Sequence, residues 1–169
     1  MKHKISILYS WLVRTLLYFL PNLPLIMRFR GFLYSLMMKH CGKNFQVASD
    51  VYFGSLSKLH IGDNVYIAPK NVVIALELTI HDNVIVGPSC VISGGNHKFD
   101  GLSFRWLKST VEKVTIREGC WIAGNCSVLA GVDFPPFSIL AAGAVLTKSF
   151  ETQYGIYAGV PAKFIKTIQ

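Results

Sequence analysis

An aliphatic residue returns at every sixth position over most of this chain. The first such column reads Val47 and Phe53, then Ile61, Ile67 and Val73, then Ile80, Val86 and Ile92, and finally Ile116, Ile122, Val128, Phe134, Leu140 and Leu146. The first two breaks add two residues and one; the third, from Ile92 to Ile116, spans 24 and preserves the phase. A second column, four places on, is small or branched apart from Asn71: Val65, Val84, Cys90, Cys120, Cys126, Val132, Ser138 and Ala144. Gly or Ala often follows the first column (Gly62, Ala68, Gly87, Ala123, Ala141), and turn formers such as Asp63-Asn64, Asp82-Asn83 and Glu118-Gly119 come next. No α-helix has a period of six, and a plain strand has a period of two. A short strand plus a corner does repeat at six, and stacking such units buries one continuous core. The pattern therefore predicts an all-β parallel β-helix with three short faces and about eighteen residues per turn.

The N-terminal stretch follows another rule. Ile5 to Leu20 is almost wholly apolar, with Arg14 its one interior charge; Pro21, Asn22 and Pro24 interrupt it, and a second apolar run extends from Leu25 to Met38. This predicts a helix, a proline turn and a second helix. Sixteen residues fall short of the roughly twenty that a bilayer span needs, and no small-residue cleavage site follows, as a signal peptide requires. The domain reading is a helical arm over 1–42 and the β-helix over 43–169. Within the β-helix, an excursion over 94–113 drops the hexad and lets it resume in place. Insertions of that kind commonly form the binding face.

Charge sharpens this division. The net charge is +8, and Lys2, Lys4, Arg14, Arg28, Arg30, Lys39 and Lys43 lie in the first 43 residues without one Asp or Glu. The other 126 residues carry ten basic and nine acidic side chains, so the repeat domain is near neutral. Nucleic acid would call for a basic patch on that body, which argues against it as a partner. Three readings of the arm stay open. It caps the open end of the solenoid; its apolar, cationic residues 1–40 contact an anionic membrane peripherally, with or without capping; or its first helix crosses the membrane, against which Arg14 near the middle counts. The four cysteines lack metal-site spacing, and three share the inward small column, so they read as core thiols of a reducing, cytoplasmic compartment.

The chemistry-bearing side chains cluster around the excursion. His97 follows Gly94-Gly95-Asn96 and opens the long loop, where an imidazole suits a general base near neutral pH; an ordinary exposed loop histidine is the other reading. Asp100, three residues on, is placed to orient that ring or to make a loop salt bridge. His60 and His81 with His97 would be a zinc set only if the spacing matched the turn, and spacings of 21 and 16 do not. Trp121 precedes an inward Ile122 and should point outward, as a subunit contact or a groove wall. Lys148 and Lys163 follow small residues near the far end and suit a phosphorylated ligand.

Three further segments carry a resemblance: Val114-Thr-Ile-Arg-Glu-Gly-Cys-Trp-Ile-Ala123, Ala141-Ala-Gly-Ala-Val-Leu-Thr-Lys148 and Ala158-Gly-Val-Pro-Ala-Lys163. With the hexads and the Asn96-His97 loop, they resemble the hexapeptide-repeat acyltransferases, nearest the bacterial sugar and polysaccharide O-acetyltransferases. The resemblance implies a left-handed parallel β-helix, a homotrimer, and acetyl-CoA as co-substrate between subunits, without a metal. It implies His97 as catalytic base and Trp121 in the site wall. Ala123, Ala141 and Ala142 would lie along the pantetheine arm, with Lys148 and Lys163 near the phosphates. Galactoside-type members carry an acceptor-binding asparagine where this chain has Tyr52-Phe53-Gly54, and they lack the cationic arm. Both departures favour a surface polysaccharide or its lipid-linked precursor as acceptor, worked on at the inner face of the cell membrane. An N-acetyltransferase acting on a nucleotide-linked aminosugar and a non-catalytic scaffold are the rival expectations.

Overall fold

The computed structural model describes residues 2–168, so the terminal Met1 and Gln169 of the expected arm and domain lie outside it. The chain folds as a left-handed parallel β-solenoid preceded by two helices, α1 (Lys2–Leu17) and α2 (Pro24–Ser35). Face one stacks His40–Cys41, Leu59–Ile61, Leu78–Ile80, Val114–Ile116 and Asp133–Phe134. Face two stacks Gln46–Val47, Tyr66–Ile67, Ile85–Val86, Trp121–Ile122, Ile139–Leu140 and Gly155–Ala158, and the antiparallel strand Lys163–Thr167 closes it. Face three stacks Tyr52–Phe53, Val72–Val73, Val91–Ile92, Ser127–Val128 and Val145–Leu146. The solenoid thus takes up the chain at His40, just before the junction expected at residue 43.

Register explains the broken spacing. His40 pairs with His60, His60 with Thr79, and Thr115 with Asp133, giving turns of 20, 19 and 18 residues. Thr79 also pairs directly with Thr115, so the excursion is looped out and the next coil lands in phase. Both residue columns point inward: every member of each is buried. The corners are made by residues that tolerate a left-handed backbone, including Asn64 (φ 56°), Asn83 (φ 59°) and Asn125 (φ 59°). At one corner the side chains continue the stack, with Asn44 Nδ2 donating to Asn64 Oδ1 and Asn64 Nδ2 to Asn83 Oδ1 at 3.0 and 3.1 Å. Asn71, the polar exception in the second column, is satisfied in the core. Its amide donates to the carbonyls of Ala68 and Gly87 at 2.7 and 2.8 Å and accepts from the Cys90 N–H at 3.1 Å.

The ladder has a direction that dictates the cap. On face two the Gln46 N–H donates to Val65 O, Tyr66 to Val84, Ile85 to Cys120 and Trp121 to Ser138, always toward the next coil. Carbonyls of the first coil consequently face the N-terminal end with no coil beyond them, and a buried carbonyl needs a donor. The arm supplies donors. Arg30, fully buried, donates through Nη1 to Val47 O at 2.6 Å, and Ser10 Oγ donates to Phe53 O at 2.8 Å. Arg30 Nη2 also reaches Leu20 O at 3.2 Å and Leu17 O at 3.4 Å, the latter shared with the Leu20 N–H, tying down the turn that follows α1. Capping is therefore one role of the arm, and one of its six cations, Arg30, serves that cap. Proline opens α2, where its missing N–H costs nothing. Gly31 lets α2 approach so closely that a Cβ there would collide with the Phe45 carbonyl.

Candidate active site

The excursion leaves face three after Ile92 and enters face one at Val114, so it projects from the corner between those two faces. Gly94 is buried against Ala75 of the coil below, and its carbonyl accepts from the Glu112 N–H at 2.9 Å, pinning the two stems together. The stems then pair as a short antiparallel ribbon, Gly95 with Val111 and Asn96 with Thr110. His97 and Ser109 occupy the next positions out, which brings the imidazole Nδ1 to 3.3 Å from Ser109 Oγ. His97 is exposed and lines an open recess of 620 Å³ with Phe104, Arg105 and Trp106.

Asp100 does not reach the imidazole. Its Oδ1 accepts from the Leu102 and Ser103 N–H groups at 2.8 and 2.7 Å, and these bonds hold its carboxyl below the usual carboxylate range. An Asx turn satisfies this carboxylate locally, so Asp100 shapes the loop tip and Ser109 partners His97. Sequence reading passed over Ser109, which is twelve residues from His97 and adjacent only once the ribbon forms. It gave no role to Phe104 or Trp106 either. Trp106 is exposed, with the Arg105 guanidinium 5.1 Å over its ring.

The residues expected along a long, thin ligand lie elsewhere on the prism. Trp121 is on face two and points outward, 48% exposed, between the outward Ile85 and Ile139. Two residues on, at the corner between faces two and three, Gly87, Ala123, Ala141 and Ala158 fall in one line along the axis. Ala123 is buried, Ala141 half-buried and Ala142 exposed. A Cβ added at Gly143 would meet nothing within 4 Å, so this edge is smooth backbone with open space beside it. Lys163 pairs with Ala158 and stands, exposed, at the end of that edge. Lys148 follows face three and sits on the same corner as the excursion, its ammonium 5.5 Å over the Phe150 ring. A single chain therefore gathers Trp121, Ala123, Ala141, Ala142 and Lys163 on one side. It leaves His97, Asp100 and Lys148 at another corner.

The remaining candidates are held apart or shut in. His60 lies on face one with His40, ring centroids 6.1 Å apart, and burial followed by the nearby Lys39 lowers its pKa. Among the described residues no His, Cys, Asp and Glu side chains group as a metal site. Cys90 and Cys126 are buried, and their thiols donate to the carbonyls of Ala123 and Ala141 at 3.0 and 3.1 Å. Cys120 donates likewise to Pro135 O at 3.1 Å, and burial pushes it up to about 11. None of the three faces solvent as a nucleophile would.

No protein-family model matches the chain. The crystallised hexapeptide-repeat acetyltransferase of Vibrio cholerae, complexed with acetyl coenzyme A, superimposes with a TM-score of 0.81 over 98% of this chain and 88% of that one. At 22% identity that likeness speaks for the fold. A provisionally assigned acetyltransferase of Saccharomyces cerevisiae is 31% identical over 140 residues, covering 78% of this chain and 67% of that protein. The chain belongs to the hexapeptide-repeat acetyltransferase family. Another relative, the galactoside O-acetyltransferase of Escherichia coli, is 31% identical over 134 residues, 78% of this chain and 65% of that protein. This hexapeptide-repeat chain spans about two thirds of the length of the curated relatives it matches. Within this chain Tyr52-Phe53 lies under α1, with the Arg14 guanidinium 5.4 Å over the Tyr52 ring.

Proposed function

We propose that the protein transfers the acetyl group of acetyl-CoA to a hydroxyl of a saccharide, at a site assembled from two chains of a homotrimer. The observation that carries this reading is the placement of the parts: a histidine-bearing ribbon on one corner and a smooth, lysine-ended edge on another. A neighbouring copy laid alongside brings its edge to this chain's ribbon, and a closed ring repeats that contact for each copy. The open edge suits a long, thin pantetheine arm, and the ammonium of Lys163 suits its phosphates. The acetyl-coenzyme A bound by the Vibrio cholerae relative supports the same donor here.

His97 then acts as general base. In the tautomer whose Nδ1–H donates to Ser109 Oγ, Nε2 carries the free lone pair. That nitrogen takes the proton of the acceptor hydroxyl as its oxygen bonds to the thioester carbon. When the carbon–sulfur bond breaks, the imidazolium returns the proton to the departing thiolate, so neither charge nor proton is left over. The name of the Escherichia coli relative supports a sugar hydroxyl rather than an amine. The exposed Phe104 and Trp106 side chains offer apolar surface to a saccharide in the recess that His97 lines. An extended glycan, such as a surface polysaccharide or its lipid-linked precursor, fits that arrangement.

The test is incubation of the full chain with labelled acetyl-CoA and a panel of oligosaccharides. An alkali-labile, acetylated product is expected, and His97→Ala should lower kcat about a hundredfold to ten-thousandfold with coenzyme affinity nearly unchanged. An alkali-stable amide, or a His97→Ala enzyme keeping most of its turnover, would overturn the proposal.

A further inference from the structure

The arm is apolar on both of its sides. Against the solenoid it packs Val13, Met27 and Tyr34 together with polar groups: Ser6 Oγ lies 2.9 Å from Ser55 Oγ, Ser10 Oγ bonds Phe53 O, and Arg30 is buried whole. Away from the solenoid it presents large apolar side chains. Ile5, Leu8, Leu12, Leu16 and Phe19 recur at helical spacing along the first helix and its end, from 44% to 89% exposed. Leu25, Phe29, Phe32 and Leu36 do the same along the second, each more than half exposed. An apolar face of this extent, on the end of the prism rather than along its sheets, marks an interaction surface.

Charge decides what covers it. Lys2, Lys4, Arg28 and Lys39 stand exposed around the two helices, and no acidic residue occurs before Asp50. A second copy meeting this face would bring like charge against like, which favours separation over pairing. An anionic lipid surface supplies both halves of the match, acyl chains for the leucines and phenylalanines and phosphates for the lysines and arginine. Length sets the mode: no described helix is long and apolar enough to cross a membrane. The 16 residues of α1 reach only about 24 Å, short of the hydrocarbon core. We propose that the two-helix arm lies in the headgroup layer of an anionic bilayer, cationic rim on the phosphates, holding the solenoid upright on the membrane by its capped end.

Co-sedimentation of the full chain with vesicles tests this. Vesicles of phosphatidylcholine with phosphatidylglycerol should bind it at least about tenfold more tightly than phosphatidylcholine alone, with the difference shrinking as salt rises. The double variant Leu16→Glu, Phe29→Glu changes two exposed positions, so its circular dichroism should match the wild type while its vesicle binding falls by at least about tenfold. Three results would overturn the proposal. One is a full chain that stays in the supernatant with anionic vesicles. A second is a double variant, folded by circular dichroism, that sediments like the wild type. The third is wild-type self-association through this face that the double variant abolishes, without lipid binding.

Discussion

Replacing Arg30 with Met keeps the length and apolar stem of the side chain and removes the donors that join the arm to the first coil. In the wild type, Nη1 and Nη2 serve the carbonyls of Val47 (2.6 Å), Leu20 (3.2 Å) and Leu17 (3.4 Å), with Asn22 Oδ1 at 3.4 Å. Only the first two are short enough to count in full, and hydrogen bonds from a charged donor are worth about 1.5–3 kcal/mol each. Their loss amounts to about 3–6 kcal/mol. Against it stands the relief of no longer burying a charge, which costs several kcal/mol in a site with no carboxylate in contact. Burial lowers the Arg30 pKa, and its Nε has no partner, both signs that this penalty is felt. A net destabilisation of about 1–3 kcal/mol follows, the cost of leaving the buried Val47 carbonyl without a donor. Urea unfolding should show it, and limited proteolysis should cut first within the arm, since the coils beyond are untouched. Arg30→Lys keeps a charge and a shorter donor set and should fall between. An Arg30→Met protein within about 0.5 kcal/mol of the wild type, the range of ordinary surface substitutions, would refute the idea that coil polarity is satisfied by the arm.

Other consequences concern the core, the thiols and the loop. Asn71→Val should destabilise by about 2–4 kcal/mol in the same unfolding assay, since it strands the Cys90 N–H and the Ala68 and Gly87 carbonyls inside the stack. A thiol reagent should label the denatured protein at all four cysteines. The native protein should react at Cys41 alone among them. Burial, with Asp63 adding to it, pushes that thiol up to about 11, so its thiolate is scarce at neutral pH and labelling should quicken steadily as pH rises toward that value. In steady-state kinetics, Ser109→Ala should lower kcat and shift its pH profile, because the imidazole loses the partner that fixes its tautomer. Asp100→Asn should leave that profile in place, its bonds being local to the turn; the reverse ranking would return Asp100 to the ring.

Periodicity along the chain was enough to read the solenoid, because six-residue spacing has few other physical solutions. Even the two early irregularities and the in-phase break translate directly into turns of 20, 19 and 18 residues and a looped-out excursion. Outward Trp121 and the inward cysteines followed from alternation alone. Contacts made across the chain were harder to see. Asp100 looked like the partner of His97 by nearness in sequence, yet a turn captures its carboxylate and a ribbon delivers Ser109 instead. Arg30 looked like one more surface cation, and only the direction of the ladder reveals why a donor is wanted at that end. Lys148 and Lys163 read alike in sequence; different corners of the prism separate them.

The shared site is the claim on which the mechanism stands, and complementation between damaged chains addresses it most directly. One chain carries His97→Ala; the other carries Ala142→Trp, which fills the smooth edge at an exposed position. Each alone should be nearly inactive in acetyl transfer from labelled acetyl-CoA. Unfolded together in equal amounts and refolded, they should recover about a quarter of wild-type turnover, since random assembly into a closed ring leaves that share of contacts with both partners intact. Mixed chains as inactive as their parents, in assemblies verified to contain both, would contradict the account.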